Sequence, residues 1–280
     1  MADPAASATY RAATGPLPSD MTVAVTNLLL RQLAGRPDSA NLEMALRILA
    51  KWRSTLVANT LVQKAGQKVL SGPFKGMDYS VPASEGAKAA RLMGSYEASL
   101  APVIEAAVAT GYKQIIDIGC AEGYYAVGMA LRLPRARVMA RDASEAAQEL
   151  CREHARRNGV ADRVDVGGLA GPQDFDWCKR RRTLVICDIE GAEDALLDPV
   201  TAPGLAVADI LVECHDLLHP GLSDRIAARF DASHNITRFG RGLAPQALPD
   251  WMEAFSDMDR LIALWEWRAG PTPWLWMKAK

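Results

Sequence analysis

Ile115-Ile116-Asp117-Ile118-Gly119-Cys120-Ala121-Glu122-Gly123 is the stretch that decides the fold. Four mainly apolar residues form a buried strand. A glycine turn follows, and a helix opens beyond it. Glycine tolerates positive φ and lets a backbone approach a ligand closely. A dinucleotide fingerprint would read GxGxxG. Counting from Gly119, the third position is Ala121 and the sixth is Tyr124, so that pattern fails at two of its three glycines. What stands instead is Asp-x-Gly-x-x-x-Gly, with the acid inside the strand end. A carboxylate there suits a ligand ammonium, directly or through water. It equally suits an ordinary βα turn in which the acid caps the helix.

Outward from this turn, short apolar runs alternate with helical stretches. Gln114–Ile118 precedes a helix to about Leu133, and Arg137–Ala140 precedes a helix over Glu145–Asn158. Arg163–Val166, Thr183–Cys187 and Ile210–Val212 follow. Such alternation spells βαβ units, hence an α/β fold with a doubly wound, mostly parallel sheet covered on both faces. His234–Phe239 and Leu261–Trp267 are expected to pair antiparallel at its edge. Upstream, Ser84–Thr110 reads as helical and Gly72–Tyr79 as a small hairpin. Met21–Leu70 is helical, with Asp38 or Ser39 as a cap and Leu42, Leu46, Leu49, Trp52 and Leu56 at helical spacing. The expected organisation is a disordered tail over 1–20, an N-terminal helical extension over 21–70, and a catalytic domain over 71–280. The extension packs on that domain or serves as a lid or homodimer contact.

Composition narrows the partners. Lys+Arg is 32 and Asp+Glu 33, a net charge of -1, which argues against a nucleic-acid partner. The five cysteines form no CxxC pair and their number is odd, which fits reduced thiols and a cytoplasmic protein. Cys187 and Cys214 read as core, and no zinc spacing appears. The start lacks the pattern of a signal peptide. Met21–Leu30 is too short to span a bilayer, so no membrane partner is expected. Lys179–Arg182 reads as a solvated turn and His154 as a solvated residue on a surface helix. His219 and His234 lack partners in sequence. Trp265, Trp267, Trp274 and Trp276 alternate in two pairs, as core or as an aromatic wall.

The ends of later strands carry chemistry. Asp142 closes the second strand, where a carboxylate can accept both hydroxyls of a ribose or cap the next helix. Asp188-Ile189-Glu190-Gly191-Ala192-Glu193 and Glu213-Cys214-His215-Asp216 follow two apolar runs. If those strands are neighbours, Asp188, Glu190, Glu213, His215 and Asp216 gather at one crevice. Such a group can orient a polyol, hold a divalent cation through Asp188, Glu213 and Asp216, or supply a general base. His215 is the best single base, because its ordinary pKa lies near neutrality.

Together these residues resemble the class I S-adenosylmethionine-dependent methyltransferases, and within them the FkbM-like group. Gly72-Pro73-Phe74-Lys75-Gly76-Met77 and Gly94-Ser95-Tyr96-Glu97 share in the resemblance, which covers about Gly72 to Arg268. It implies a seven-stranded sheet with an antiparallel terminal pair, and S-adenosylmethionine as methyl donor. Asp117, Gly119, Cys120, Ala121 and Gly123 then meet the methionine part, Asp142 and Ala143 the ribose, and Leu169 and Ala170 the adenine. Tyr96 and Glu97 close the cofactor side and Asp188 lines it. Two departures stand out: Ala121 for a glycine, and Arg141 before Asp142 in place of an aromatic or apolar residue.

The expected activity is O-methylation of a hydroxyl on a small molecule, a sugar or secondary metabolite. His215, Asp188 and Glu213 would be catalytic, with Glu190 and Asp216 on the substrate. Asn-Pro-Pro-Tyr, the motif for methylating base amino groups, is absent after the fourth strand. The alternatives are a nicotinamide-dependent oxidoreductase and a non-catalytic S-adenosylmethionine-binding protein.

Overall fold

The computed structural model describes residues 19–83 and 86–280. The expected tail therefore lies almost wholly outside the described residues, and Asp20 opens the first helix instead of ending the tail. The helices are α1 (Asp20–Leu33), α2 (Ser39–Ala65), α3 (Lys88–Met93), α4 (Ala101–Thr110), α5 (Tyr124–Arg132), α6 (Glu145–Arg157), α7 (Glu193–Leu196), α8 (Leu222–Phe230) and α9 (Asp257–Ala263). The strands are β1 (Gln114–Ile118), β2 (Arg137–Arg141), β3 (Val164–Gly167), β4 (Thr183–Cys187), β5 (Asp209–Glu213), β6 (His234–Phe239) and β7 (Trp274–Ala279).

Among the described residues these seven strands make one sheet in the order β3-β2-β1-β4-β5-β7-β6. The first five run parallel, and β7 inserts antiparallel between β5 and β6. This is the doubly wound sheet with an antiparallel terminal pair that the sequence led us to expect. Its register aligns Ile118 with Arg141 and Cys187, and Cys187 with Val212. The residues that follow, Gly119, Asp142, Asp188 and Glu213, therefore emerge along one rim. The chain order reverses between β1 and β4, and ligands of open α/β sheets bind at such a switch point.

Strand alternation builds two cores. Ile115, Leu184, Ile186 and Leu211 face one side with Val138, Trp274 and Trp276. Ile116, Ile118, Val185, Cys187, Ile210 and Val212 face the other with Leu275 and Met277. Both faces are covered, which is why β1, β4 and β5 read as continuous apolar runs. Cys187 and Cys214 are fully buried, as expected, and all five cysteines are free thiols.

Several expectations are corrected. Leu261–Trp267 is not the partner of β6. Ser256 accepts from Asp259 N–H at 3.2 Å and starts α9 there, so the antiparallel partner is the second tryptophan pair, Trp274 and Trp276 on β7. The helical reading of Ser84–Thr110 breaks into α3, a 3-10 turn and α4, because Gly94 ends α3 in the left-handed region. Ser84 itself lies outside the described residues. The Gly72–Tyr79 hairpin reduces to one bridge, Lys68 to Asp78, around a turn. His154 is fully buried, not solvated. It shares the inner face of α6 with Ala147, Cys151 and Ala155, and its nitrogens meet the carbonyls of Glu122 and Asp78 at 2.9 and 3.0 Å. His234 is buried too, against Ala208 O at 2.8 Å and the Ser233 hydroxyl.

The chain forms two compact units, divided within α2 at Arg53 and Ser54 rather than near Leu70. In the first, Asp38 caps α2 by accepting from Asn41 N–H at 2.9 Å. Leu42, Leu46 and Leu49 of the expected stripe are exposed. In the second, Val57, Ala58 and Leu61 pack with Met252 and Leu264. No helix among the described residues is long and apolar enough to cross a membrane.

Candidate active site

The glycine turn is set by how closely two strand ends approach. Gly119 has φ 76°, and a Cβ there would lie 1.6 Å from the Asp188 carbonyl oxygen. Only glycine fits. The N–H groups of Gly119 and Cys120 both donate to Arg141 O, at 2.8 and 3.1 Å. Ala121, the departure from glycine, keeps the left-handed backbone at φ 48°. Its N–H donates to the Asp142 carboxylate at 2.9 Å, whose other oxygen accepts from Ser144 N–H at 2.8 Å. Asp142 thus braces the turn and the entry to α6 at once. With two acceptor positions used, a carboxylate retains others for hydroxyl donors. Arg141, the second departure, folds back onto Asp165 at 2.9 Å, away from the turn.

Asp117 is buried beneath this turn. The Ala126 N–H lies close enough to favour its charged form, while Oδ2 has no hydrogen-bond partner. Burial first, then the charges of Asp188 and Asp142, pushes its carboxyl up to about 7. Asp117 lines a tight crevice with Arg91, Tyr96, Gly119, Cys120 and Asp188. An adjoining cavity of about 600 Å³ is lined by Asp142, Ala143, Leu169, Ala170, Asp188 and Glu190. The residues expected for methionine, ribose and adenine line these two spaces, except Gly123, which starts α5 and packs against Cys151. Sequence reasoning missed the support below them. Glu122 is wholly buried, accepts from the Tyr79 hydroxyl at 2.6 Å, and lies 3.2 Å from the Arg91 guanidinium. Neither Arg91 nor Tyr79 falls in a motif, so no sequence signal was there to find.

At the ends of β4 and β5, His215 stands among carboxylates. Its Nδ1 lies 2.7 Å from Glu193, a fully buried acid, and its Nε2 lies 3.3 Å from Glu190 and 3.6 Å from Asp188. Burial works against the imidazolium, but the Glu193 hydrogen bond and the charge of Asp188 prevail and raise its pKa. Glu193 also accepts from the N–H groups of Ile189 and Gly191 at 3.3 and 3.2 Å. The Asp188–Glu193 string is thus a turn closed upon its last residue, with Glu190 at φ 55° inside it.

One expected member stands elsewhere, and a second is in place but already paired. Asp216 caps α8, accepting from Ser223 N–H at 2.9 Å and its hydroxyl at 2.6 Å, and does not line the crevice or the adjoining cavity. Glu213 is held by Arg268, which also pairs with Glu97 and Glu266 and donates to Thr272 at 2.6 Å. Donor atoms of Asp188, Glu213 and His215 do lie within 4.8 Å of one another. They fit a divalent ion poorly. Hard cations take six or more oxygen ligands, whereas here Arg268 occupies Glu213, His215 faces Asp188, and the expected third acid, Asp216, is engaged at a helix cap.

An O-methyltransferase family profile matches residues 103–175, from α4 through the glycine turn to the segment after β3. A release factor glutamine methyltransferase of Moorella thermoacetica is 33% identical over 150 residues, 53% of this chain and 50% of that protein. A ribosomal protein L11 methyltransferase of Alteromonas mediterranea is 44% identical over 54 residues, 19% of this chain and 18% of that one. The chain thus spans half or less of the curated relatives it matches. Among solved structures, an O-methyltransferase from Bacillus cereus in complex with SAH aligns over 95% of this chain and 93% of its own, at 12% identity and a TM-score of 0.40. The O-methyltransferase TomG from Streptomyces achromogenes in complex with SAM aligns over 81% and 89%, at 15% identity and a TM-score of 0.41.

Proposed function

We propose that this protein is a class I S-adenosylmethionine-dependent O-methyltransferase acting on a hydroxyl of a small molecule. The observation that carries the reading is Asp117: a buried carboxylate with an unpartnered oxygen, in a glycine-turn crevice at the switch point of the sheet. A buried carboxyl of this kind is stabilised by a ligand ammonium and gains nothing from a phosphate. The family match to residues 103–175 covers the same turn.

When bound, S-adenosylmethionine supplies an electrophilic methyl group. The chain's own residues bind and orient it: Asp117 takes the ammonium, Asp142 the ribose hydroxyls, and Leu169 and Ala170 flank the adenine. Tyr96 and Asp188 line the side toward the acceptor. Alignment of the reacting groups is the main contribution such a site makes. His215 is the proton acceptor, with Glu193 fixing its ring through Nδ1 and leaving Nε2 beside Asp188. Glu213 and Asp216 act through structure, the one as partner of Arg268 and the other as a helix cap.

The FkbM-like assignment within the class rests on the Asp188–Glu193 string, whose last residue both closes the turn and holds His215. With Glu213 paired to Arg268, transfer proceeds without a divalent metal. The acceptor is a sugar or secondary metabolite in the cytoplasm rather than a nucleic acid, in keeping with the net charge of -1. Exposed Leu30, Leu33 and Leu46 in the N-terminal helices suit a homodimer contact, which light scattering on the purified protein tests. The activity is tested by thermal shift and product detection. S-adenosylhomocysteine should raise the melting temperature and NAD should not, and mass spectrometry of hydroxylated metabolites should find products heavier by one methylene. A shift with NAD alone overturns the reading in favour of an oxidoreductase. A shift with S-adenosylhomocysteine but no product from any acceptor favours a non-catalytic binder.

A further inference from the structure

The sheet has two rims, and the candidate active site uses one of them. At the other rim, where the parallel strands begin, cations recur. Lys113 precedes β1, Arg135 and Arg137 stand at the start of β2, and Arg180 and Arg181 precede β4. β7 runs the other way, so its end, with Lys278, reaches the same rim. The register fixes this. Gln114 pairs with both Arg137 and Thr183, Leu184 pairs with Asp209, and the Ala279 N–H donates to the Asp209 carboxylate at 2.9 Å. Neighbouring strands lie about 4.8 Å apart, so the edge from β2 through β1, β4 and β5 to β7 is roughly 20 Å long.

These cations have no counter-charge. Arg135, Arg137, Arg180, Arg181 and Lys278 are exposed and Lys113 is half-buried. None of the six side chains makes a hydrogen bond or ion pair with any described residue. Every other arginine of residues 54–280 except Arg241 has an acid or a carbonyl as partner. The acids at hand are taken: Asp209 is buried against Arg182 at 3.0 Å, and Asp176 meets Lys179 at 2.6 Å. Asp162 and Asp231 precede the outer strands β3 and β6, so the middle of the rim is left with positive charge in excess. The net charge of -1 therefore belongs to a polarised molecule, with carboxylates at one rim and free cations at the other. Like charges gathered in this way repel one another, a cost that an anionic partner removes.

Apolar side chains share this rim. Val207, two residues before β5, is 54% exposed, and Leu131, in the last turn of α5, is 38% exposed. Pro134, between α5 and β2, is exposed as well. Such side chains gain nothing from a phosphate backbone in water. They do gain by entering the headgroup layer of a bilayer, where apolar burial adds to the attraction of anionic lipid. A row of cations along a straight edge also meets a flat surface over its whole length.

We propose that this rim docks the protein peripherally on an anionic phospholipid bilayer, with the basic row on the charged headgroups and Val207 and Leu131 in the headgroup layer. No helix among the described residues is long and apolar enough to cross a membrane, and docking of this kind needs none. The crevice lies at the opposite ends of the strands and stays open to solution, so the lipid holds the protein and is not its acceptor. Docking does not depend on methyl transfer, because none of these residues lines the crevice or the adjoining cavity.

The test is sedimentation of the full chain with vesicles of phosphatidylcholine, alone or mixed with phosphatidylserine. The protein should bind the mixed vesicles and not the neutral ones, and added salt should release it. One cation near an anionic leaflet is worth about fivefold in affinity. Arg180→Gln with Arg181→Gln should therefore weaken binding about 25-fold. Arg135→Gln with Arg137→Gln, on the other side of Lys113, should do the same. All four side chains lack partners in the fold, so both variants should keep the melting temperature of the unaltered protein. Val207→Ser should weaken binding and leave its salt dependence as it was. The proposal is overturned if neither kind of vesicle binds, if both bind alike, or if the double variants either bind undiminished or unfold. It is also overturned if single-stranded RNA at equal phosphate concentration binds more tightly than the mixed vesicles, which would make the rim a nucleic-acid surface.

Discussion

The two halves of the sheet solve the same problem by different means. Around β1, β2 and β4 the site is made of backbone: a glycine that must be glycine, main-chain N–H groups, and one carboxylate per strand end. Around β5, β7 and the segment between α9 and β7 it is made of long side chains. There Arg268 gathers Glu97 and Glu213 from distant parts of the chain, beside its near neighbour Glu266. The first half is rigid and local in sequence. The second depends on a long-range ion-pair hub, and its failure modes differ accordingly.

The largest expected effect belongs to the backbone half. Gly119→Ala drives a Cβ into the Asp188 carbonyl, where neither strand can yield without leaving register. Such a clash destabilises by more than the ~1–3 kcal/mol of ordinary overpacking. Urea unfolding together with calorimetry should show both a large stability loss and no binding of S-adenosylhomocysteine. Near-native affinity would mean that the turn tolerates what its geometry forbids.

Arg268→Ala comes next. It removes the cation shared by Glu97 and Glu213, both nearly fully buried, and breaking a buried pair from one side costs about 3–5 kcal/mol. Because the orphaned carboxyls then protonate more readily, the deficit should shrink as pH falls. A deficit independent of pH would show that the hub is held by packing rather than by charge. A chelator added to the unaltered protein, by contrast, should change nothing. A chelator that abolishes turnover would mean that Arg268 releases Glu213 to an ion during catalysis.

Proton linkage acts in both halves. Asp117 titrates near 7 in the fold and near 4 when unfolded. The native state therefore holds the extra proton between those values, and its contribution to stability falls as pH rises through that window. A ligand ammonium reverses the shift, so binding of S-adenosylhomocysteine should release protons near pH 6–7. Calorimetry in buffers of different ionisation enthalpy reads this directly. His215 moves in the same direction. Its raised pKa favours the imidazolium, which is stabilising at low pH and lost as pH rises through the folded value. Turnover should therefore climb as His215 loses its proton, and a flat profile would remove it as the base.

How legible each half was follows from the range of its interactions. β1, β4 and β6 stand at their sequence-read boundaries because apolar runs bounded by turns are local signals. Asp117, Asp142 and Asp188 were found because each ends such a run. The hub was not found. Arg268 and Glu266 carry no motif, Glu97 lies in the Gly94–Glu97 string without any sign of its partner, and nothing in one sequence says that Glu97, Glu213 and Arg268 meet. His154 was misread for the same reason: three neighbouring arginines suggested a wet helix face, but spacing from Ala147 and Cys151 turns it inward. Leu261–Trp267 failed because a Ser cap and two early acids outweigh an apolar alternation.

The smallest expected effect tests the one place where the backbone half departs from glycine. Ala121 sits at φ 48°, and the left-handed region costs a residue with a Cβ roughly 1–2 kcal/mol. Ala121→Gly removes that cost but loosens the unfolded chain, which returns about 0.4–1 kcal/mol. The net gain should be about 0.5 kcal/mol, with S-adenosylhomocysteine affinity unchanged, because the bond from residue 121 to Asp142 comes from the main chain and survives the substitution. A gain in stability paired with lost affinity would mean that the strained alanine preorganises the turn for its ligand. The position would then differ from Gly119 in kind: Gly119 is fixed by space, and Ala121 by the carboxylate that holds its N–H.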